Sequence, residues 1–196
     1  MSTNSVYGLV LAGGKSRRMG RDKALLIRGG QSQLAYAVSV LEDCVDRVFV
    51  STRADQKDDK ERARFEQLVD AYNDIGPVAG ILTALDAHPE VDWLVVACDL
   101  PNVDIATIRS LLDARDGEQD FTAYSSTHDG HPEPLCAVYH VGCKEIVQRF
   151  VDEGINCPRK ILIRSQTRLL TQADPSALDN VNTPDDLQQS ILQEAR

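Results

Sequence analysis

No run in this chain of 196 residues approaches the roughly eighteen apolar residues that a membrane-spanning helix needs, so no membrane span is expected. The opening Met1-Ser2-Thr3-Asn4-Ser5 has neither a basic start nor an apolar core of the kind a secretion signal carries, and the expected location is cytoplasmic. Positive charge is also scarce. The 21 Lys and Arg stand against 30 Asp and Glu, a formal net charge of -9 that repels a phosphate backbone and argues against nucleic acid as a partner. The five cysteines, Cys44, Cys98, Cys136, Cys143 and Cys157, are odd in number and never fall at C-x-x-C spacing. That removes a disulfide framework and a zinc site, and leaves buried thiols in a reducing compartment as the expectation. Neither an internal repeat nor a linker is visible, and the length fits one α/β domain over residues 1–196 rather than two.

Two familiar phosphate-binding motifs are missing as well. Gly14-Lys15-Ser16 looks like the tail of G-x-x-x-x-G-K-[ST], but the first glycine would have to be Leu9, and Gly8 is one place off. The dinucleotide fingerprint G-x-G-x-x-G fails because Gly13 and Gly14 are adjacent and the next glycine is Gly20. What is there instead is a short apolar run, Tyr7 to Leu11, suited to a strand buried on both faces of a parallel sheet. It ends in Ala12-Gly13-Gly14, where small residues let backbone N–H groups approach an anion. Lys15, Arg17, Arg18, Arg21 and Lys23 follow, opposed only by Asp22, so the scarce cations of an acidic chain are concentrated beside a glycine turn. A strand, a glycine turn and gathered cations point to a site for a small anionic ligand.

Beyond this stretch the pattern alternates strand and helix. Ser32 is placed to cap a helix with apolar positions Leu34, Val38, Leu41 and Val45, and Arg47 to Ser51 reads as the next strand. Such alternation predicts a three-layer, doubly wound, mostly parallel sheet, Rossmann-like, whose ligands sit at the carboxyl ends of the strands. Ala54 to Glu66 mixes charges of both signs and reads as a solvated helix. Leu68-Val69-Asp70 is a short strand with a carboxylate after it; Gly76-Pro77 starts a helix, with Ala79 and Gly80 leaving room in its first turn. Trp93 to Cys98, unbroken by polar residues, is the expected central strand, and Asp99 follows it, where a phosphate-bound Mg²⁺ would be held. Asp104 caps a further helix, Phe121 to Tyr124 is a strand, and Ser125 to Pro134 is a polar loop before the strand Leu135 to Tyr139. A helix ends at Gly154, and Pro158 to Arg164 forms another short one. Thr183, Pro184 and two aspartates announce a last helix, while Asn180 and Asn182, spaced to share one face of an extended strand, have no structural duty.

The run L-A-G-G-x-S-x-R-M-G-x-D-K, Leu11 to Lys23, resembles the signature of the molybdenum cofactor guanylyltransferases. Cys98-Asp99-Leu100-Pro101 is similar to the C-D-x-P setting of the family's metal-binding aspartate, Gly76 to Gly80 to its G-P-L-A-G segment, and Asn180-Val181-Asn182-Thr183-Pro184 to a motif beside its active site. The resemblance implies transfer of GMP from GTP to the terminal phosphate of a molybdenum-bound pterin, with pyrophosphate released and Mg²⁺ on Asp99. It also implies nucleotide contacts from Leu11, Ala12, Gly13, Gly14 and Lys23 in the first motif and from Ser51, Asp70, Gly80 and Asp99 further on. Lys23, Arg17 and Asp99 then carry the chemistry, and Arg18, Asn180 and Asn182 face the acceptor. Ser51 departs from the Asn common in relatives, which alters the hydrogen-bonding reach at that point. His128 and His131 fall in the segment facing the second substrate, but are read as loop residues. A cytidylyltransferase of the same pterin, a sugar-1-phosphate nucleotidyltransferase and a catalytically silent nucleotide-binding partner are the alternatives. Molybdoenzyme chaperones are the implied protein partners.

Overall fold

The computed structural model describes residues 4–14, 22–181, 186 and 192. Its first element, β1 (Val6–Leu11), is the expected apolar strand. A small hairpin of β2 (Ile27–Arg28) and β3 (Gln31–Ser32) turns through Gly29 and Gly30, both at positive φ. Ser32 then caps α1 (Gln33–Glu42), its Oγ accepting from the Ala35 N–H at 2.9 Å. Next come β4 (Arg47–Thr52), β5 (Gln67–Val69), α2 (Pro77–Ala87) and β6 (Asp92–Ala97). The second half contains α3 (Ile105–Asp113), β7 (Phe121–Ser125), β8 (Pro132–Tyr139), α4 (Lys144–Asp152), α5 (Pro158–Ile163) and β9 (Thr167–Leu170).

Seven strands form one sheet in the order β5-β4-β1-β6-β8-β7-β9. Pairing is parallel from β5 through β6 and again between β7 and β9; only β8 runs against its neighbours β6 and β7. All six residues of the central strand β6 are buried: the apolar run Trp93 to Ala97 because both faces of the sheet are covered, and Asp92 with its carboxylate accepting from the Val141 N–H at 2.9 Å. Two apolar clusters lie on the two faces. One joins α1 and α3 to the sheet through Leu34, Leu41, Ile108 and Leu111; the other joins α2, α4 and α5 through Ile81, Leu82, Val147 and Ile161. The fold is therefore a three-layer α/β arrangement around a mostly parallel sheet. Each such fully buried aliphatic side chain contributes about 2 kcal/mol relative to exposure, as an upper estimate. Among the described residues no helix is long and apolar enough to cross a membrane.

Several expectations are corrected. Ala54 to Glu66 is not a solvated helix: it is a series of turns with a single 3₁₀ turn at Arg62–Arg64, and Arg62 is buried. Charge of both signs gave the segment the look of a helix, but without an apolar stripe it has nothing to anchor a full one to the sheet. The loop before β8 is shorter than expected, because Pro132 and Pro134 sit within the strand, whose pairing with β7 slips between Ala123 and Ser125. Strand β9 was not foreseen, having four residues, two of them exposed, and no alternation. The expectation of buried thiols holds for Cys98, Cys136 and Cys143, whereas Cys44 is half-buried and Cys157 exposed. Burial pushes the Cys98 and Cys136 thiols up to about 12, so neither ionises near neutral pH. The expected last helix at Thr183 lies outside the described residues apart from Asp186 and Leu192.

Candidate functional site

The carboxyl ends of β5, β4, β1 and β6, four adjacent parallel strands, open on one side of the sheet into a cavity of about 830 Å³. Each strand delivers one part of it. After β1 come Ala12, Gly13 and Gly14; β4 carries Ser51 just before its last residue, Thr52, with Arg53 just beyond; Asp70 follows β5, and Asp99 follows β6. The first turn of α2 closes the remaining side with Ala79 and Gly80. Gly76 caps that helix at φ 63°, a left-handed conformation that favours glycine, and Pro77 occupies the first helical position, where no N–H is needed.

Lys23 and Asp99 meet within the cavity wall. Lys23 Nζ donates to Asp99 Oδ2 at 2.9 Å, and the two side chains are 14% and 22% exposed. The backbone around Lys23 is fixed by a 3₁₀ turn, Lys23–Leu25, which Asp22 caps by accepting from the Ala24 N–H at 3.0 Å. The carbonyl of Asp99 accepts from the Val181 N–H at 3.1 Å, so the segment that carries Asn180 is tied directly to the end of β6.

On the far side of the glycine turn, Ser51 Oγ donates to Asp70 Oδ1 at 2.8 Å. Burial raises the Asp70 carboxyl above its ordinary range, and the Ser51 hydroxyl and the Arg53 guanidinium only partly oppose that. Arg53 itself donates to the Gly13 carbonyl and forks onto Asp55, with both N···O distances at 2.9 Å. Gly80 lies directly beneath Ser51: a Cβ there would collide with Ser51 Oγ and stand 3.0 Å from both Ser51 Cβ and Leu11 Cδ2. At Gly14, by contrast, a Cβ would meet no atom of the described residues within 4 Å.

The nucleotide-side residues named from the sequence, Leu11, Ala12, Gly13 and Gly14 with Lys23, and Ser51, Asp70, Gly80 and Asp99, thus line a single cavity. Asn180 instead lines a neighbouring cavity of about 190 Å³, together with Glu133, Cys157 and Arg159; Ala97 and Leu135 belong to both walls. Arg17, Arg18 and Asn182 lie outside the described residues. His128 is exposed and 3.7 Å from Asp179, and neither it nor His131 lines these two cavities. Sequence reasoning missed Arg53, Asp22 and above all Arg62. Arg53 had a usable signal, lying two residues after a strand end already assigned to the site. Arg62 had none, buried as it is within a segment of ordinary surface composition.

The chain matches the MobA-like NTP transferase domain over residues 8–169. It is 36% identical over 186 residues to a molybdenum cofactor biosynthesis bifunctional protein of Synechocystis sp., covering 95% of this chain but 54% of that protein, about half its length. Against a probable molybdenum cofactor guanylyltransferase of Bacillus mycoides it is 31% identical over 196 residues, covering 93% of this chain and 94% of the relative. The fold superposes on the molybdopterin-guanine dinucleotide biosynthesis protein A of Archaeoglobus fulgidus with a TM-score of 0.78 at 23% identity, over 93% and 95% of the two chains. With the domain matched over most of its length, the chain belongs to the MobA-like NTP transferase family, the nucleotidyltransferases that include the molybdenum cofactor guanylyltransferases.

Proposed function

We propose that this protein transfers GMP from GTP to the terminal phosphate of a molybdenum-bound pterin. The observation that carries the reading is the Lys23–Asp99 pair, 2.9 Å apart, on the wall of a cavity framed by the glycine turn and the first turn of α2. A cation and a carboxylate side by side match the two demands of a nucleoside triphosphate: charge for its phosphates and an anchor for the metal ion that accompanies them.

The residues fit Mg²⁺. Among the described residues no group of three or more His, Cys, Asp or Glu could cage a metal, while Asp99 offers one carboxylate at the cavity. Mg²⁺ is commonly held in that way, by one or two carboxylates, with phosphate and water completing its shell. Bound there, it would neutralise charge on the phosphates and favour departure of pyrophosphate. The protein supplies the rest. Lys23 holds phosphate oxygens; the lack of side chains at Gly13 and Gly14 lets N–H groups approach the phosphates; Ser51 and Asp70 line the part of the cavity beneath which Gly80 packs. The acceptor phosphate attacks the α-phosphorus as the pyrophosphate bond breaks, so no Ser, Cys or His nucleophile is required, and catalysis is positioning and charge. The acceptor enters from the side of Asn180, whose segment is bonded to the Asp99 carbonyl. Asp70 is suited to guanine, because a carboxylate accepts from both N1–H and the exocyclic amino group, whereas cytosine offers a single amino donor and sets its N3 acceptor against the second oxygen.

The purified protein incubated with each NTP in turn, Mg²⁺ and the pterin acceptor tests this by release of pyrophosphate. GTP with the pterin is the expected productive pair. Preference for CTP, or turnover with a sugar 1-phosphate in place of the pterin, would replace this reading, and no turnover with any pair would reduce the protein to a nucleotide binder.

A further inference from the structure

Arg62 is 1% exposed, although it stands in a segment rich in surface charge. Its guanidinium points at both ends of the glycine-rich loop. Nε and Nη2 donate to the Ala12 carbonyl at 3.3 and 2.8 Å, on the residue just before Gly13-Gly14. The same Nη2 lies 2.7 Å from Asp22 Oδ2, on the residue just before Lys23. On the outer side Asp59 Oδ1 accepts from the Arg62 N–H at 3.1 Å and from Nη1 at 3.3 Å, fixing the cation to its own turn. That turn is in turn joined to the start of α1, where Ser32 Oγ donates to Glu61 at 2.5 Å.

The backbone of Ala12 is thereby fully used: its N–H bonds to the Ser51 carbonyl at 3.2 Å and its carbonyl receives Arg62. Asp22 is also committed twice, with Oδ2 on Arg62 and Oδ1 capping the turn that begins at Lys23. A buried arginine is expensive unless its donors are matched, and a planar fork meets two acceptors at once where an ammonium would serve as a point charge. We propose that Arg62 is a positioning residue that holds the two ends of the glycine-rich loop at a fixed span and so sets Lys23 against the phosphates. It acts through Ala12 and Asp22 and touches no substrate. This inference rests on the reading of the cavity as a nucleotidyl-transfer site.

A double-mutant cycle between Arg62→Gln and Lys23→Ala tests it, with kcat for pyrophosphate release from GTP and pterin as the readout. If Arg62 works by placing Lys23, then Arg62→Gln lowers kcat by about tenfold to a hundredfold in the wild-type background, the scale expected when a reacting group is displaced by an ångström. In the Lys23→Ala background the same change then costs less than about twofold, because there is no lysine left to place. Equal losses in the two backgrounds, or no loss in the first, would overturn the proposal and leave Arg62 a purely structural residue. Should Arg62→Gln fail to give a cooperative thermal transition, Arg62→Lys carries the cycle, since it keeps the charge and loses the fork. Should the wild-type protein transfer no GMP, the functional reading falls by itself, and the cycle is then read in the dissociation constant of Mg·GTP under the same criterion.

Discussion

Replacing Gly80 by alanine sets two effects of opposite sign against each other. In the interior of a helix the change should help, by about 1 kcal/mol of helix propensity. Here the added Cβ would collide with Ser51 Oγ and lie 3.0 Å from Ser51 Cβ and from Leu11 Cδ2. The hydroxyl could swing to another rotamer, but Ser51 Cβ is fixed to the backbone of β4, so part of the overlap stays. Swinging also breaks the 2.8 Å bond to Asp70 and leaves that half-buried carboxylate without its hydroxyl donor. Overpacking costs about 1–3 kcal/mol and the lost donor about 1–2. The balance is a loss of about 2 kcal/mol, or a fall of about 4–8 °C in Tm for a protein of this size. Urea denaturation gives the stability, and steady-state kinetics give KM for GTP, which should rise because Ser51 and Asp70 move together. Ser51→Gly in the Gly80→Ala background removes the obstructing atoms and should recover part of the stability. A Gly80→Ala protein that is about 1 kcal/mol more stable, with unchanged KM, would refute the packing argument.

Four further outcomes are expected. Lys23→Ala should lower kcat by about 10²-fold or more, some 2.7 kcal/mol of transition-state stabilisation, while thermal unfolding stays cooperative; near-normal turnover would remove the lysine from the phosphates. Asp99→Asn should lower Mg²⁺ affinity and turnover together, with partial recovery at excess Mg²⁺. An unchanged metal requirement there would shift the metal elsewhere, with Asp70 the next candidate. Asp70→Ala should narrow the GTP:CTP ratio of kcat/KM by roughly tenfold or more, and equal falls with both nucleotides would make Asp70 structural. Asp70→Asn should raise stability near neutral pH: burial raises the folded-state pKa above the unfolded value, so ionised Asp70 disfavours the folded state. That penalty grows as pH rises from the ordinary carboxylate range through the raised value, and it is absent below the unfolded one. Melting curves of the two proteins should therefore converge in acid, and a gap of constant size would mean that the carboxyl is not the cause.

Most of the sheet and much of the lining of the larger cavity were legible in the sequence because both rest on local chemistry. An apolar run without alternation marks a doubly covered strand, and Tyr7 to Leu11 and Trp93 to Cys98 fall at β1 and β6 within a residue. Ser32, Asp104 and Gly76-Pro77 start the helices expected of them, since a cap is a local hydrogen bond or a local φ. What was hidden depends on distant partners. The edge strand β9 is stabilised by pairing with β7, 46 residues earlier at the Phe121–Thr167 register, and its own four residues carry no period. Arg62 reads as one more surface charge until Ala12 and Asp22 arrive from the other side of the sheet edge. Asp22 gave the same false impression. In sequence it is the lone acid opposing a basic cluster, yet in the fold it faces Arg62 and caps the turn that presents Lys23.

The change of strand direction explains why the site lies where it does. From β5 to β6 the strands run the same way, so Asp70, Arg53, Gly13 and Asp99 leave the sheet at one edge. At β8 the direction reverses, and the residues beside the end of β6 come from the start of a strand instead: Leu135, which lines both cavities, and Glu133 and Pro134 on the smaller one. Asn180 lines that smaller cavity too, and the N–H of its neighbour Val181 donates to the Asp99 carbonyl. Asp99, proposed to hold the metal, lines the larger cavity, and Ala97 and Leu135 form the wall that this cavity shares with the smaller one. On the proposed reading, the nucleotide would occupy the larger cavity and the acceptor would enter from the smaller one, across the wall they share at Ala97 and Leu135.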